Sequence, residues 1–425
     1  RLANVSFLRQ PASVDFYVED VLRHARAVVV DHLGGQSYWP YGIERLVALA
    51  RERGQVLAMF SGDLQEDPQL TAQSTADPAL CRQLWRYLRE GGRHNAAEFL
   101  RCIAHHALGR DRPPAPLRVL PAAALYCPGR EQAGIDDWHV RWRAGAPVVA
   151  ILFYKAHLQA ANLAVFDALI EALETRGLNP LPIAVTSLKD AISLELTQAL
   201  CAEHAAALVL NTTAFAASSP GEDGFVLAGD APVLQVIMSG GNRESWEASN
   251  QGLHARDIAM HVALPEIDGR IVTRAVSFKD RAYYCERTQV DVVRYRPDPE
   301  RIGFVAELAA RWCRLRSLAN ADKTIALVLA NYPASEGRIG NGVGLDVPAS
   351  VLAILAMLAE EGYALAPLPA DGAALMARLT AGVTNDPATR ELRPAWQSLA
   401  MADYLEAFAA WPQPVQQAVL ARWGR

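Results

Sequence analysis

Four glycines lie in one short stretch of the sequence, Asn331 to Asp346, which reads NYPASEGRIGNGVGLD. An apolar run precedes this stretch and a helix-like run follows it. Glycine-rich turns of this kind can bind phosphate, because backbone N–H groups approach the anion at the positive end of the following helix. The first chemistry to test is therefore nucleotide binding.

The residues of this turn do not match a nucleotide site. A Walker A loop ends in Gly-Lys-Ser/Thr, since the lysine reaches the phosphates and the hydroxyl holds magnesium. Here the loop ends Gly344-Leu345-Asp346, and no Gly-Lys-Ser/Thr occurs anywhere in the chain. The glycine spacing also differs from the dinucleotide fingerprint. We predict a tight turn, in which Asp346 or its neighbour caps a helix that has Pro348 in its first turn.

A second group of polar residues follows strands that are predicted to be buried. His157 stands at the carboxyl end of one such strand, where open α/β sheets place ligand-binding side chains; a structural role is the alternative. Gln235 ends another predicted strand and precedes the polar loop SGGNRESWEASNQGLH. In that loop Trp246 stands beside Arg243 and two glutamates, a combination that suits a flat, apolar ligand with charged edges. The alternative is a loop that is only solvated.

Histidine spacing gives no metal-binding motif. His254 and His261 are seven residues apart and could share a helix face, but an i, i+7 pair is too far apart to bind one metal unaided. The H-E-x-x-H pattern is absent as well.

The elements that must position these residues alternate between strand-like and helix-like runs, the pattern of parallel sheets covered by helices. We predict an α/β fold with several doubly wound, mostly parallel α/β domains and helical insertions. Residues 1–110 are assigned to a first α/β domain, incomplete at its N-terminus, and residues 111–146, with five prolines, to a linker. Residues 147–320 form a second α/β domain with the candidate pocket. Residues 321–425 form a third, which is expected to continue into further chain.

The clearest helix prediction lies in the second domain. Apolar residues recur there at helical spacing, Asn162 is placed to cap the start of the helix, and Gly177 is placed to close its end. The apolar positions are Leu163, Phe166, Leu169, Ile170 and Leu173. In the third domain the runs TIALVLA and YALAPLP are predicted strands.

Composition excludes several function classes. The 41 basic and 46 acidic residues give a net charge of −5 without a basic stripe, which argues against nucleic acid. The apolar runs are far shorter than the roughly 20 residues that span a bilayer, so no membrane segment is expected. Six widely spaced cysteines without a C-x-x-C pair suit reduced thiols in the cytoplasm. No leader segment precedes the first structured run, and a chain that starts at Arg1 is expected to be a piece of a longer one.

Four longer stretches carry a family resemblance. They are LGGQSYWPYG, LFYKAHLQAAN, PVLQVIMSGGNRESWEASNQGLHARDIAMHVALPEIDGRIVTRAVSFK and LANYPASEGRIGNGVGLDVPAS. Together they resemble the large subunit of aerobic, ATP-dependent cobaltochelatase, and the magnesium chelatase large subunit has looser counterparts. The resemblance covers essentially the whole chain, which looks like an N-terminal portion of the family's longer proteins. One departure is Asp31-His32, where a basic or apolar pair is expected.

The resemblance implies insertion of Co²⁺, as a substrate, into hydrogenobyrinic acid a,c-diamide during cobalamin biosynthesis. It also implies that ATP-Mg is bound and hydrolysed on separate AAA+ type partner subunits and not on this chain. Metal insertion requires that pyrrole protons be removed, and a neutral histidine or a carboxylate can accept them. Imidazole also suits cobalt, and arginine can clamp carboxylate edges.

That chemistry assigns a role to each candidate residue. We predict His157 and Glu266 as proton carriers and His254 as a metal carrier, with the substrate-binding residues Gln235, Arg243, Trp246 and Arg274 near the corrinoid. The alternatives are that Glu266 and Asp268 only shape a turn, and that Arg274 pairs with Asp268.

Two other functions stay open. One is a magnesium chelatase large subunit that binds protoporphyrin IX. The other is a corrinoid-binding or subunit-docking fragment without activity of its own, since a pocket shared with missing segments would be incomplete.

Overall fold

The structure is a computed structural model that describes residues 1–130, 133–218, 227–330, 339–384, 386, 388 and 390–424. The chain forms two compact units, residues 1–316 and residues 317–425, called here the N-terminal unit and the C-terminal unit. The break between them lies close to the predicted boundary at residue 320. The remaining predicted domain boundaries stay predictions.

The N-terminal unit begins with a small α/β layer around two parallel strands, β1 (Ala27–His32) and β2 (Val56–Ser61). Helix α2 (Pro40–Arg53) is closed by Gly54, which has φ +64° in the left-handed region. Buried residues such as Ile43, Leu57 and Met59 pack the strands against the helices. The helices of this layer are α1 (Pro11–Asp20), α2 (Pro40–Arg53), α3 (Pro68–Ala72), α4 (Pro78–Glu90) and α5 (Gly92–Leu108).

A second, seven-stranded sheet has the order β3-β5-β4-β6-β7-β8-β9. Its five central strands are parallel, and the edge strands β3 and β9 are antiparallel to their neighbours, which confirms the mostly parallel α/β prediction. The strands are β3 (Ala123–Leu125), β4 (Val148–Tyr154), β5 (Asn179–Val185), β6 (Leu208–Asn211), β7 (Val233–Ser239), β8 (Ile271–Cys285) and β9 (Val290–Pro297).

Helices connect and cover this sheet. They are α6 (Ile135–His139), α7 (Lys155–Gln159), α8 (Ala164–Thr175), α9 (Ala191–Glu203), α10 (Arg243–Glu247), α11 (Ala255–Ile258), α12 (Leu264–Glu266) and α13 (Pro299–Ser317). One turn of π-helix, Ala259–Ala263, joins α11 to α12. The strand order changes direction at β4, because β5 lies on one side of it and β6 on the other. In open α/β sheets such a switch point is where ligands bind, at the carboxyl ends of the strands.

Helix α8 forms at the predicted position and buries the predicted face. Phe166, Leu169, Ile170 and Leu173 are almost completely buried, and Gly177 follows the helix with φ +75°. The predicted cap was wrong: Leu163 occupies the N-cap position without a side-chain bond, and the buried Oδ1 of Asn162 has no partner among the described residues. Asn162 instead uses its backbone N–H, which donates to the His157 carbonyl at 2.9 Å.

The predicted linker, residues 111–146, contributes to the second sheet. Strand β3 pairs antiparallel with β5, and Trp138 is completely buried in the core. The prolines that suggested a linker are compatible with this position, because Pro121 and Pro128 flank a three-residue edge strand instead of interrupting a central one.

In the C-terminal unit the described residues are mainly helical, with α14 (Val347–Glu360), α15 (Gly372–Thr380), α16 (Met401–Ala409) and α17 (Gln413–Trp423). The predicted strands TIALVLA and YALAPLP are not strands in the structure, because neither belongs to a sheet of the described residues. Val351 and Leu375 are the only buried apolar side chains that the described part of this unit contains. An α/β character of this unit stays a prediction.

The glycine turn lies partly outside the described residues, which resume at Ile339. Gly340 and Gly344 have φ of +69° and +74°, whereas Gly342 is not in the left-handed region. The Asp346 carboxylate accepts a hydrogen bond of 3.0 Å from the Ala349 N–H at the start of α14, and Pro348 lies in its first turn. The prediction of a capped helix is confirmed. None of the described helices is long and apolar enough to cross a membrane.

Candidate functional site

His157 lies at the switch point of the second sheet, in the short helix α7 that directly follows β4. Its imidazole packs edge-on against Phe166 and Tyr295, with ring centroids 5.1 and 5.5 Å apart. Ala161, just after the helix, has φ +50°, an uncommon conformation for a residue with a side chain and one that often marks a functional site. Burial lowers the pKa of His157 from 6.5 to about 4, so the ring is neutral at pH 7.

Tyr295 and Lys279 form the next wall of this region. They are register partners on β9 and β8, and the Lys279 ammonium lies 5.8 Å from the centre of the Tyr295 ring. The positive charge of Lys279 adds to the effect of burial in lowering the pKa of His157. Burial, together with the charge of Asp257, raises the pKa of Tyr295. A neutral imidazole, a phenol and an ammonium therefore meet at the carboxyl edge of the sheet.

Asp257 completes this edge from the other side. It is 6% exposed, and its carboxylate accepts hydrogen bonds from the Ser239 hydroxyl at 2.7 Å and the Gly240 N–H at 3.0 Å. Because β7 ends at Ser239, these two donors hold the carboxylate at the end of a central strand.

His261 lies one helical turn beyond Asp257, in the π-helical turn. Burial lowers the pKa of His261 and the charge of Asp257 opposes that shift. Its Nδ1 is buried without a hydrogen-bond partner among the described residues. Single π-helical turns occur frequently at functional sites. We call His157, Ser239, Asp257, His261, Lys279 and Tyr295 the edge site.

His254 reaches the same edge, whereas Glu266 does not. A Cβ added to Gly241 would lie 2.8 Å from the Nε2 of His254, and the Gly241 carbonyl accepts a 2.9 Å hydrogen bond from the Lys279 N–H. The exposed Glu266 lies at the far end of the crossover from β7 to β8, twelve helical residues from His254 and hence about 18 Å away. Glu266 therefore does not lie beside His254, and its role as a proton carrier stays a prediction.

The structure offers no preformed metal site in its described residues, because no three His, Cys, Asp or Glu side chains cluster suitably there. His254 is exposed and, within the described part of the chain, has no such group around it. The role of His254 as a metal carrier stays a prediction.

Trp246 and Arg243 lie close together, as the sequence suggested, but both have partners. The Trp246 ring packs on Phe278, and the Arg301 guanidinium lies 4.8 Å from its centre. Arg243 forms ion pairs with Glu247 at 2.7 Å and with the buried Asp298 at 2.6 Å. A flat ligand could reach the Trp246 face only if Arg301 moved.

Gln235 is buried within β7, so the prediction that it ends a strand was wrong. Strand β7 continues past it to Ser239, since the apolar residues Val236 to Met238 extend the buried run. Its Oε1 accepts from Asn211 Nδ2 at 2.9 Å and from Arg270 Nη1 at 3.1 Å, and its amide donates to the Thr213 carbonyl. With no exposed surface, Gln235 cannot touch a ligand in this conformation.

The ion pairs around Arg274 also differ from the expected ones. Asp268 pairs with Arg270, at 2.5 Å and with both side chains buried, so it is not available to Arg274. Arg274 pairs with Glu300 at 3.1 Å, and its guanidinium lies 3.5 Å from the centre of the Phe304 ring. Arg274 is therefore positioned by α13, away from the edge site.

Sequence reasoning missed Asp257, Lys279 and Tyr295. Asp257 and Lys279 lie within the family-like stretch, but nothing in their spacing singles them out. Tyr295 lies on β9, which the pairing with β8 brings into the sheet near His157. The one available signal was the seven-residue spacing of His254 and His261, which brackets Asp257 in a single helical crossover.

Comparison with known proteins agrees with this architecture. The family model for CobN/Magnesium Chelatase matches residues 85–425. The chain belongs to this family. The chain is 51% identical to the aerobic cobaltochelatase subunit CobN of Pseudomonas aeruginosa, over 425 residues that cover 100% of this chain and 34% of that protein. It is 28% identical to a magnesium-chelatase subunit of Chlorobaculum parvum, over 52% of this chain and 17% of that protein.

A solved structure extends the likeness to the fold. The catalytic subunit of cobaltochelatase from Mycobacterium tuberculosis matches with a TM-score of 0.73 and 30% identity, over 99% of this chain and 35% of that one. The chain thus spans about one third of the length of these two cobaltochelatase subunits.

Proposed function

We propose that this chain is the tetrapyrrole-binding part of a cobaltochelatase large subunit. Its reaction is the insertion of Co²⁺ into hydrogenobyrinic acid a,c-diamide in cobalamin biosynthesis, and AAA+ type partner subunits hydrolyse the ATP. The observation that carries this proposal is the edge site at the carboxyl edge of a parallel sheet, where His157 packs on Tyr295 and the charge of Asp257 acts on both Tyr295 and His261. The family membership supplies the reaction class.

The chemistry begins with the pyrrole N–H groups of the macrocycle. His157 is neutral at pH 7 and can accept a proton, while the N–H bond electrons stay on the ring nitrogen that will bind Co²⁺. The imidazolium formed would lie in a buried region near the Lys279 ammonium, which disfavours a second positive charge. The proton must therefore move on, and the Asp257 carboxylate is the acidic group of the edge site that can attract it.

Cobalt is the substrate ion in this proposal, and the macrocycle nitrogens are its principal ligands. The neutral imidazoles of His157 and His261 can hold Co²⁺ for a short time, since imidazole is a suitable ligand for this ion. The pattern of identity supports cobalt over magnesium: the CobN relative matches the whole chain at 51%, the magnesium relative about half of it at 28%. The six free thiols agree with a cytoplasmic location.

The test is cobalt insertion followed by visible absorbance, with the complete large subunit, its partner subunits, ATP and the diamide. We expect His157→Gln to lower kcat by roughly 10²-fold or more, as for loss of a general base. The matched control is His24→Gln, because His24 is exposed and remote in sequence from the edge site. Full activity of His157→Gln would remove this residue from the reaction, and no insertion by the wild-type assembly would refute the proposed function.

A further inference from the structure

A second candidate site lies in the N-terminal unit, in a cleft between its two sheets. The cleft has a volume of about 410 Å³, and its lining includes Trp85, Arg86, Arg89, Tyr154, Lys155 and Thr186. Tyr154 ends β4, and Thr186 directly follows β5, so one wall is again the carboxyl edge of the second sheet. The opposite wall is helix α4, which packs on β2 of the first sheet.

The two walls are held together tightly. The Gln159 side-chain amide donates to the carbonyls of Arg89 and Glu90 at 2.9 and 3.1 Å. Gly91, with φ +62°, allows the approach, because a Cβ there would lie 2.6 Å from the Cβ of Gln159. The cleft is therefore a built feature of the fold, with its width fixed at this junction.

Four charged residues line the cleft, of which three are cations, Arg86, Arg89 and Lys155, and one is an anion, Glu90. Arg89 is held by the Asp31 carboxylate at 2.5 Å and by the Gly62 carbonyl, and its buried Nε has no hydrogen-bond partner among the described residues. The exposed Arg86 has no ion-pair or hydrogen-bond partner in the described part of the chain. Lys155 donates to the Leu120 carbonyl at 3.3 Å, and no carboxylate of a described residue lies at ion-pair distance from it. Asp31 stands where the family resemblance led us to expect a basic or apolar residue. It positions Arg89, one of the three cations of the cleft.

We propose that this cleft binds the carboxylate side chains at one edge of the tetrapyrrole. Arg86 and Lys155 pair with carboxylates, and the indole of Trp85 packs against the apolar part of the same edge. This inference rests on the proposed function, because it takes the same substrate. It places substrate contacts at residues different from Arg243, Trp246 and Arg274.

The position of the cleft fits a ligand that also reaches the edge site. Lys155, Ala156 and Gln159 line the cleft on one side of α7, and His157, in the same helix, faces Phe166 and Tyr295. One helix with its side chains is about 10 Å across, so the two features are that far apart. A macrocycle with its arms in the cleft would have its ring beside the carboxyl end of β4.

The test is a titration of the protein with hydrogenobyrinic acid a,c-diamide, followed by visible absorbance and tryptophan fluorescence. We expect Arg86→Glu and Lys155→Glu each to weaken binding by tenfold or more, and Arg86→Lys to restore most of it. The matched control is Arg51→Glu on α2, an exposed charge reversal far from the cleft in sequence. The same macrocycle with its carboxylates converted to methyl esters should bind wild type and Arg86→Glu equally.

The outcomes separate the two proposals. The cleft assignment would be overturned by unchanged affinity in both charge-reversal variants, or by an equal loss of affinity in the Arg51→Glu control. In either case, normal cobalt insertion would leave the proposed function standing. No binding by wild type would also overturn the cleft assignment, whatever the insertion assay gives. The expected losses in affinity, together with no cobalt insertion by the wild-type assembly, would support the cleft and refute the proposed function.

Discussion

Replacing Asp268 by asparagine should destabilise the N-terminal unit strongly. The carboxylate is fully buried and accepts hydrogen bonds from Ala217 N at 2.8 Å, from Ser218 N at 3.0 Å, and from Arg270 at 2.5 Å. Asparagine keeps one acceptor oxygen, but its NH₂ group would face one of these donors. It would also leave the buried Arg270 guanidinium without a counter-charge. Breaking a buried pair in this way costs about 3–5 kcal/mol.

The assay is chemical denaturation followed by circular dichroism, compared with the surface substitution Asp291→Asn. Asp291 pairs with Arg281 at 2.9 Å, but its side chain is 48% exposed, so its loss should change stability by no more than about 1 kcal/mol. Adding Arg270→Met to Asp268→Asn should recover part of the loss, since no unpaired charge then remains buried. Equal effects of Asp268→Asn and Asp291→Asn would refute this reasoning.

The buried carboxyl of Asp268 also predicts how the stability of the folded protein changes with pH. Burial opposes its charged form, but the hydrogen bonds from Ala217 and Ser218 and the Arg270 charge outweigh it and lower the pKa of Asp268 below 3.8. A carboxyl with a depressed folded pKa stabilises the protein above the unfolded pKa, and this stabilisation is lost as pH falls through the folded pKa. Wild type should therefore lose more stability than Asp268→Asn as pH falls below 3.8.

Three further results are expected. Burial lowers the pKa of His157 from 6.5 to about 4, so the unfolded chain binds the proton first as pH falls. Wild type should therefore lose stability as pH falls from 6.5 to 4, and His157→Gln should lose less. Parallel stability profiles of the two proteins over this pH range would contradict the argument. Gly344→Val should cost about 1–3 kcal/mol in thermal unfolding because φ is +74° at that position, and unchanged melting with selective loss of cobalt insertion would make the turn functional instead. Calorimetry should detect no binding of ATP-Mg to this chain, because Asp346 caps the helix where a phosphate would lie, whereas micromolar binding would show an unrecognised nucleotide site.

Local pattern predicted the elements better than the site. The spacing of Phe166, Leu169 and Leu173 predicts α8 because a single helix face repeats every 3.6 residues, and the strand-end position of His157 follows from the same local pattern. Gln235 was misjudged because burial depends on how far β7 extends and on partners from other elements. Tyr295 could not be found at all, since its contact with His157 joins residues far apart in the chain.

The same limit explains the missed cap and the cleft. Asparagine is a common N-cap residue, but the Asn162 N–H donates to the His157 carbonyl, and Asn162 lies one residue before the N-cap position. Arg86 and Lys155 have no distinctive spacing in the sequence, and the junction of Gly91 with Gln159 brings their two elements together. A site formed by contacts between residues far apart in the chain produces no periodic pattern in the sequence.

The most direct measurement is a structure of the large subunit containing this chain with hydrogenobyrinic acid a,c-diamide bound. We expect the macrocycle at the carboxyl edge of the second sheet, in contact with His157 or Tyr295, with at least one carboxylate paired to Arg86 or Lys155. A macrocycle bound elsewhere, touching neither the edge site nor the cleft, would contradict the proposal that this part of the chain binds the tetrapyrrole.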